Sequence, residues 1–141
     1  MCCKSVRKRR LVLHNDVKEI PSIPAFLEEI TAGMNMPAEV AMGINLALEE
    51  AVSNVMMYAY PEGTSGLVEI DASISKSCLE LAVSDTGTPF NPVEAPEADT
   101  TLGVEERKVG GLGIHLIRTL MDSVSYRRSN GRNILTMTKK I

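Results

Sequence analysis

The 141-residue chain has no tryptophan and only two phenylalanines, so it lacks the stacking aromatics on which nucleic-acid binders rely. Histidine is scarce, with two residues, and the three cysteines include no C-x-x-C pair. That excludes the ordinary spacings of a structural zinc site. Cys78 lies in an apolar, strand-like run and reads as a small core hydrophobe. No apolar run approaches the roughly 20 residues needed to cross a bilayer. The N-terminal MCCKSVRKRR has the positive charge of a signal peptide but neither its apolar stretch nor its small-residue cleavage site. A cytoplasmic protein with no membrane partner is expected.

Charge is unevenly placed. The first ten residues hold Lys4, Arg7, Lys8, Arg9 and Arg10 and no acid, which leaves ten cations against 18 carboxylates and a body charge of −8. A body so acidic has no basic face for nucleic acid, and residues 1–8 read as a solvated, flexible basic terminus. The remainder, 9–141, has the length of one domain with its own core and shows no internal repeat or linker.

Residues 9–14 alternate as a first strand, and Ser22-Ile23-Pro24 opens a helix that ends near Gly33. Pro37 is placed as the first-turn proline of a second helix, carrying Val40, Ile44, Leu48, Val52 and Val55 at three- and four-residue intervals until Pro61. LVEIDASI and CLELAVSD alternate as two strands joined at Lys76-Ser77. From Thr86 to Gly110 the periodicity collapses into a stretch punctuated by proline and glycine, the mark of a lid or binding loop. A helix over about 111–121 and two strands joined across Asn130-Gly131 complete the chain. The order strand, helix, helix, hairpin, long loop, helix, hairpin predicts an α+β two-layer sandwich: a mixed, mostly antiparallel sheet with helices on one face.

Three clusters carry candidate chemistry. Glu50 and Asn54 stand one helical turn apart, with small Ala47 and Ala51 nearby, and offer a carboxylate and an amide oxygen to a magnesium–nucleotide ligand. Taken alone, such a pair usually just faces solvent. Ser84-Asp85-Thr86-Gly87 closes a strand; it reads first as a turn, and second as a buried carboxylate placed to accept an adenine amine. Gly110-Gly111-Leu112-Gly113-Ile114 precedes a helix, where backbone N–H groups attract phosphate. It is neither a P-loop nor a Rossmann fingerprint.

Taken together and in this order, the clusters resemble the Bergerat-fold ATPases, the superfamily of DNA gyrase, MutL and histidine kinases. EEAVSNVMMYAYPEG resembles its N box, DTGTPF its first glycine box, and GGLGIHLIRTLMD its second. Within it, the chain is most similar to the anti-sigma serine kinases of the general-stress and sporulation type, over nearly its whole length from residue 9. The resemblance implies Glu50 as general base, Asn54 as magnesium ligand, and Asp85 with Gly87 at the adenine. It implies Gly110, Gly111 and Gly113, with Leu112 and Ile114, as the phosphate loop. Arg107 or Lys108 supplies the cation on the γ-phosphate. Tyr58 stands where many relatives have histidine, and Asn133 where a threonine often reaches the adenine-site aspartate.

The implied activity is ATP-dependent phosphorylation of a serine on an anti-anti-sigma partner of the STAS type, coupled to sequestration of a sigma factor, with ATP/ADP and Mg²⁺ as ligands and a homodimer as the assembly. The alternative is a nucleotide-binding module that sequesters its partner without phosphorylating it. A histidine kinase or gyrase-type fragment fits less well. No substrate-histidine helix precedes the domain, His14 and His115 read as structural, and no transducer domain is present.

Overall fold

The computed structural model describes residues 7–61, 64–75, 77–94 and 113–141. Strand β1 (Arg7–His14) leads through a 3₁₀ turn (Val17–Ser22) into helices α1 (Ile23–Ile30) and α2 (Ala38–Asn54). The hairpin β2 (Leu67–Ser75) and β3 (Cys78–Asp85) follows, then a short 3₁₀ turn (Pro92–Glu94), helix α3 (Gly113–Leu120), and the hairpin β4 (Ser123–Ser129) and β5 (Arg132–Lys140). The five strands form one sheet in the order β1-β2-β3-β5-β4. All four pairings are antiparallel, so the parallel component expected of a mixed sheet is not found among the described residues. The two-layer α+β architecture is otherwise as expected.

Period-2 alternation decides which face is dry. Val68, Ile70, Ala72 and Ile74 on β2, Leu79, Leu81 and Val83 on β3, and Leu135 and Met137 on β5 are all buried. The registers Ile70↔Val83 and Leu81↔Met137 set these side chains opposite one another. Phe26, Leu27 and Ile30 of α1, Ile44, Leu48 and Val52 of α2, and Ile117 of α3 fill the other half of the core. The opposite sheet face is solvated and carries the cross-strand ion pairs Arg10–Asp71 (2.7 Å) and Arg132–Glu69 (2.8 Å).

β1 begins earlier than its alternation suggested, so Arg7 and Lys8 belong to the sheet. The Arg7 guanidinium donates to the carbonyls of Ile30 (3.1 Å) and Ala32. It thereby satisfies acceptors left open at the end of α1. The Asn130-Gly131 turn has positive φ at both residues (51° and 76°), the conformation that pair was expected to supply. None of the described helices is long and apolar enough to cross a membrane.

Leu81 is fully buried in the central strand, so Leu81→Ala is expected to cost about 2–5 kcal/mol. Urea denaturation checks this, and a loss below about 1 kcal/mol would mean that the sheet is not the centre of the core.

Candidate functional site

The site starts where α2 changes pitch. After Asn54 the helix widens into a π turn, Val55–Ala59, before Tyr60 becomes extended. Such turns are rare and concentrate at functional sites. The carbonyl of Ala59 accepts from the Thr88 N–H (2.7 Å) and from the Thr88 hydroxyl (3.0 Å). The loop after β3 therefore lies directly on the helix end. A Cβ on Gly87 would sit 2.3 Å from the Ala59 oxygen. Glycine is required there by the protein's own backbone, a constraint separate from any approach by a base.

Tyr60 ties a third piece to the same place. Its buried ring fills the space beside Gly66, where a Cβ would come within 2.3 Å of it. Its hydroxyl donates to the Leu67 carbonyl (2.7 Å) and accepts from the Thr86 N–H (3.1 Å). The end of the helix, the start of β2 and the residue after Asp85 are thus held by one side chain.

Asp85 is 1% exposed. Its Oδ1 accepts from the Gly87 N–H (2.8 Å) and from Asn133 Nδ2 (2.9 Å), so the turn reading and the buried-carboxylate reading of Asp85-Thr86-Gly87 are both realised. Its Oδ2 has no hydrogen-bond partner among the described residues, and neither has Asn54 Oδ1; both atoms are buried. They line one cavity with Ala51, Val83, Phe90 and Asn133. Two buried acceptors facing a shared space are an unmet demand for donors or a cation, since an unpaired buried acceptor costs about 1–3 kcal/mol. The free volume inside is about 10 Å³, the room of about one water and far too little for a purine. Phe90, stacked on Tyr58 at 5.1 Å between ring centroids, and Pro92 form part of its wall.

Burial pushes the Asp85 carboxyl above the usual aspartate range. The Asn133 amide, the Gly87 N–H and the positive charges of Arg128 and Arg132 pull it the other way. Asn133 is itself saturated. Its amide nitrogen donates to Asp85 Oδ1 and to the Thr88 carbonyl (2.8 Å), and its oxygen accepts from the Phe90 N–H (3.2 Å) and the Tyr126 hydroxyl. With no free donor it orients Asp85 and the 88–90 backbone. The cross-strand register Asp85↔Asn133 places it there.

Glu50 lies half-buried one turn before Asn54, with the Ser53 hydroxyl 3.5 Å from its Oε2. Gly113 opens α3, and Ile114 is buried at 4% exposure, its side chain turned into packing. Arg107, Lys108, Gly110, Gly111 and Leu112 lie outside the described residues. Sequence reasoning missed the parts played by Tyr60, Thr88 and Tyr126. Tyr60 and Thr88 stood within quoted motifs, but no periodicity shows where a hydroxyl points.

Residues 13–139 match the family model of the histidine kinase-like ATPase domain. The chain is similar to the serine/threonine-protein kinase BtrW of Bordetella bronchiseptica, at 26% identity over 113 residues and 80% of each protein. It is 31% identical over 119 residues to the serine-protein kinase RsbW of Listeria monocytogenes, covering 82% of this chain and 75% of the relative. With RsbW of Halalkalibacterium halodurans it shares 35% identity over 100 residues, 68% of this chain and 60% of the relative. The solved structure of the RsbU and RsbW domains of Rv1364c from Mycobacterium tuberculosis superposes with a TM-score of 0.67 over 96% of this chain at 16% identity. That likeness is one of fold, and this chain spans 32% of the longer one.

An aspartate whose folded pKa is raised binds its proton more tightly folded than unfolded. The stability it contributes is therefore present below its unfolded pKa and lost as pH rises through the folded one. Asp85→Asn is expected to melt higher than the wild type at pH 7, with the gap closing toward pH 4. Thermal melts of both proteins across that range check this; a variant that melts lower at pH 7 would contradict the burial penalty.

Proposed function

The chain belongs to the histidine kinase-like ATPase family, in its RsbW-type serine-protein kinase branch, and on that premise we propose that Asp85, Asn54 and Glu50 bind ATP and pass its γ-phosphoryl group to a partner's serine. The observation that carries this reading is the pair of buried acceptors without a partner among the described residues, Asp85 Oδ2 and Asn54 Oδ1, on two residues that line one cavity, Asn54 one helical turn from Glu50.

The chemistry follows from the donor set. Asp85 Oδ2 accepts a hydrogen bond from the exocyclic amine of adenine, while Asn133 and the Gly87 N–H hold the other oxygen and fix the carboxylate plane. Asn54 offers a hard, neutral oxygen suited to Mg²⁺, which when bound neutralises phosphate charge. The Gly110–Ile114 loop and Arg107 or Lys108 complete the phosphate contacts. The base enters only as Phe90 and Pro92 move outward from the cavity wall. Glu50 takes the proton of the serine hydroxyl as its oxygen bonds to the γ-phosphorus. The bond from that phosphorus to the β–γ bridging oxygen breaks, and its electron pair leaves with ADP.

The partners proposed are a STAS-type anti-anti-sigma protein bearing the serine and a sigma factor held inactive, with the kinase acting as a homodimer in the cytoplasm to regulate transcription. Family membership and the RsbW-type relatives support this assignment.

Calorimetric titration with ATP, with and without Mg²⁺, tests the site. Magnesium-dependent binding is expected in the wild type, with the magnesium dependence lost in Asn54→Ala. Glu50→Ala is expected to retain ATP and lose about 10²–10⁴-fold in phosphoryl transfer to the purified anti-anti-sigma protein, the usual contribution of a general base. Equal transfer in that variant would remove Glu50 from the mechanism. Wild-type protein that binds neither ATP nor ADP would leave sequestration without transfer as the function.

A further inference from the structure

The outward face of α2 carries large exposed hydrophobes among its polar residues, where an amphipathic helix is expected to be polar. At 100° per residue, Glu39, Met42, Leu46, Glu50 and Ser53 fall within one stripe about 80° wide, and Met57 lies just beyond it in the π turn that follows α2. The opposite face holds the buried Ile44, Ala47, Leu48, Ala51 and Val52. Met42 is 65%, Leu46 44% and Met57 39% exposed. Single exposed hydrophobes are ordinary, but two on one stripe with a candidate general base and a third at its end are not explained by packing. Glu49, the neighbouring carboxylate, is engaged by the Asn45 amide at 3.0 Å, which leaves Glu50 and, about three turns earlier, the exposed Glu39 as the carboxylates of the stripe.

We propose that this stripe is the docking surface for the phosphoryl-acceptor protein, with its serine at Glu50 and apolar side chains of the same segment over Leu46 and Met57. The inference rests on the kinase reading above and names how that site takes its protein substrate. The occupant follows from the chemistry. A general base must come within about 2.6–3.2 Å of the hydroxyl it deprotonates. The polypeptide carrying that hydroxyl therefore lies across α2 at Glu50 and covers whatever flanks it. At 1.5 Å of rise per residue, Leu46 stands about 6 Å to one side of Glu50 and Met57 about 10 Å to the other. In an extended segment the side chain two residues from the serine shares its face and reaches about 6–7 Å, which places it over Leu46. The segment carries no acidic residue at those places, because Glu49 and Glu50 would repel it. Methionine at both ends of the stripe adapts to side chains of different shape.

The test uses the full chain, ATP–Mg²⁺ and the purified STAS-type anti-anti-sigma protein of the same genome. Leu46→Ser and Met57→Ser are compared with Val17→Ser, a more exposed apolar site off the stripe (61%). The two stripe variants are expected to raise KM for the protein substrate at least about tenfold, with kcat and KM for ATP unchanged, the signature of lost substrate binding. Val17→Ser is expected to match the wild type. Transfer by wild type and stripe variants with the same KM for the protein substrate would overturn the docking surface while leaving the kinase reading intact. Sedimentation showing dimer loss in the stripe variants with transfer unaltered would assign the stripe to a second copy and overturn it too. Wild-type protein that binds ATP and transfers nothing would overturn the kinase reading, and the docking surface with it.

Discussion

The carbonyl oxygen of Ala59 accepts both the N–H and the hydroxyl of Thr88, and the placement of Asp85 against Asn54 depends on that contact. It clamps the loop after β3 onto the end of α2, at a distance that only Gly87 permits. Asp85 on the sheet and Asn54 on the helix come from different layers of the sandwich. They share a cavity because the clamp, reinforced by the Tyr60 hydroxyl between Leu67 and Thr86, holds the layers in one register. A π turn supplies the geometry, since it redirects the last carbonyls of the helix toward the loop.

Rigidity on one side of the site and closure on the other follow from the same network. Asn133 uses all of its hydrogen-bonding capacity on Asp85, Thr88, Phe90 and Tyr126. The carboxylate is thereby preorganised at the cost of burial, which raises its pKa. The same amide oxygen holds the Phe90 backbone, beside the ring and the proline that narrow the cavity. Phosphoryl transfer leans on positioning and electrostatics more than on covalent chemistry. A fold that fixes its acceptors suits that demand. The proposed docking stripe of α2 would add the complementary requirement, a place where a second protein presents a hydroxyl to Glu50 from outside.

Much of this was legible in the sequence because it is local. Helical spacing placed Glu50 one turn from Asn54; alternation gave β2 and β3 and their buried face; Asn130-Gly131 gave the last turn; and the collapse of periodicity after Thr86 marked the end of β3. The motif order Glu50–Asn54, Asp85–Gly87, Gly110–Ile114 pointed to the family whose domain model matches residues 13–139. What local pattern could not give was the strand order. β5 lies between β3 and β4 although it comes last, and this insertion puts Asn133 against Asp85. Arg7, which read as part of a loose basic terminus, is in β1 and caps α1 because the carbonyls of Ile30 and Ala32 await a donor there.

The sequence by itself determined the element types, the dry face of the sheet and the residue types of the site, since side-chain period and turn chemistry act between near neighbours. Tertiary structure decided the rest: that the described strands all pair antiparallel, that Gly87 is required by the Ala59 carbonyl, that Tyr60 and Thr88 hold the site, and that two acceptors lack a partner among the described residues. Those are contacts between residues tens of positions apart. They are set by how the layers pack and by the need to satisfy buried polar groups, and neither leaves a period in the chain.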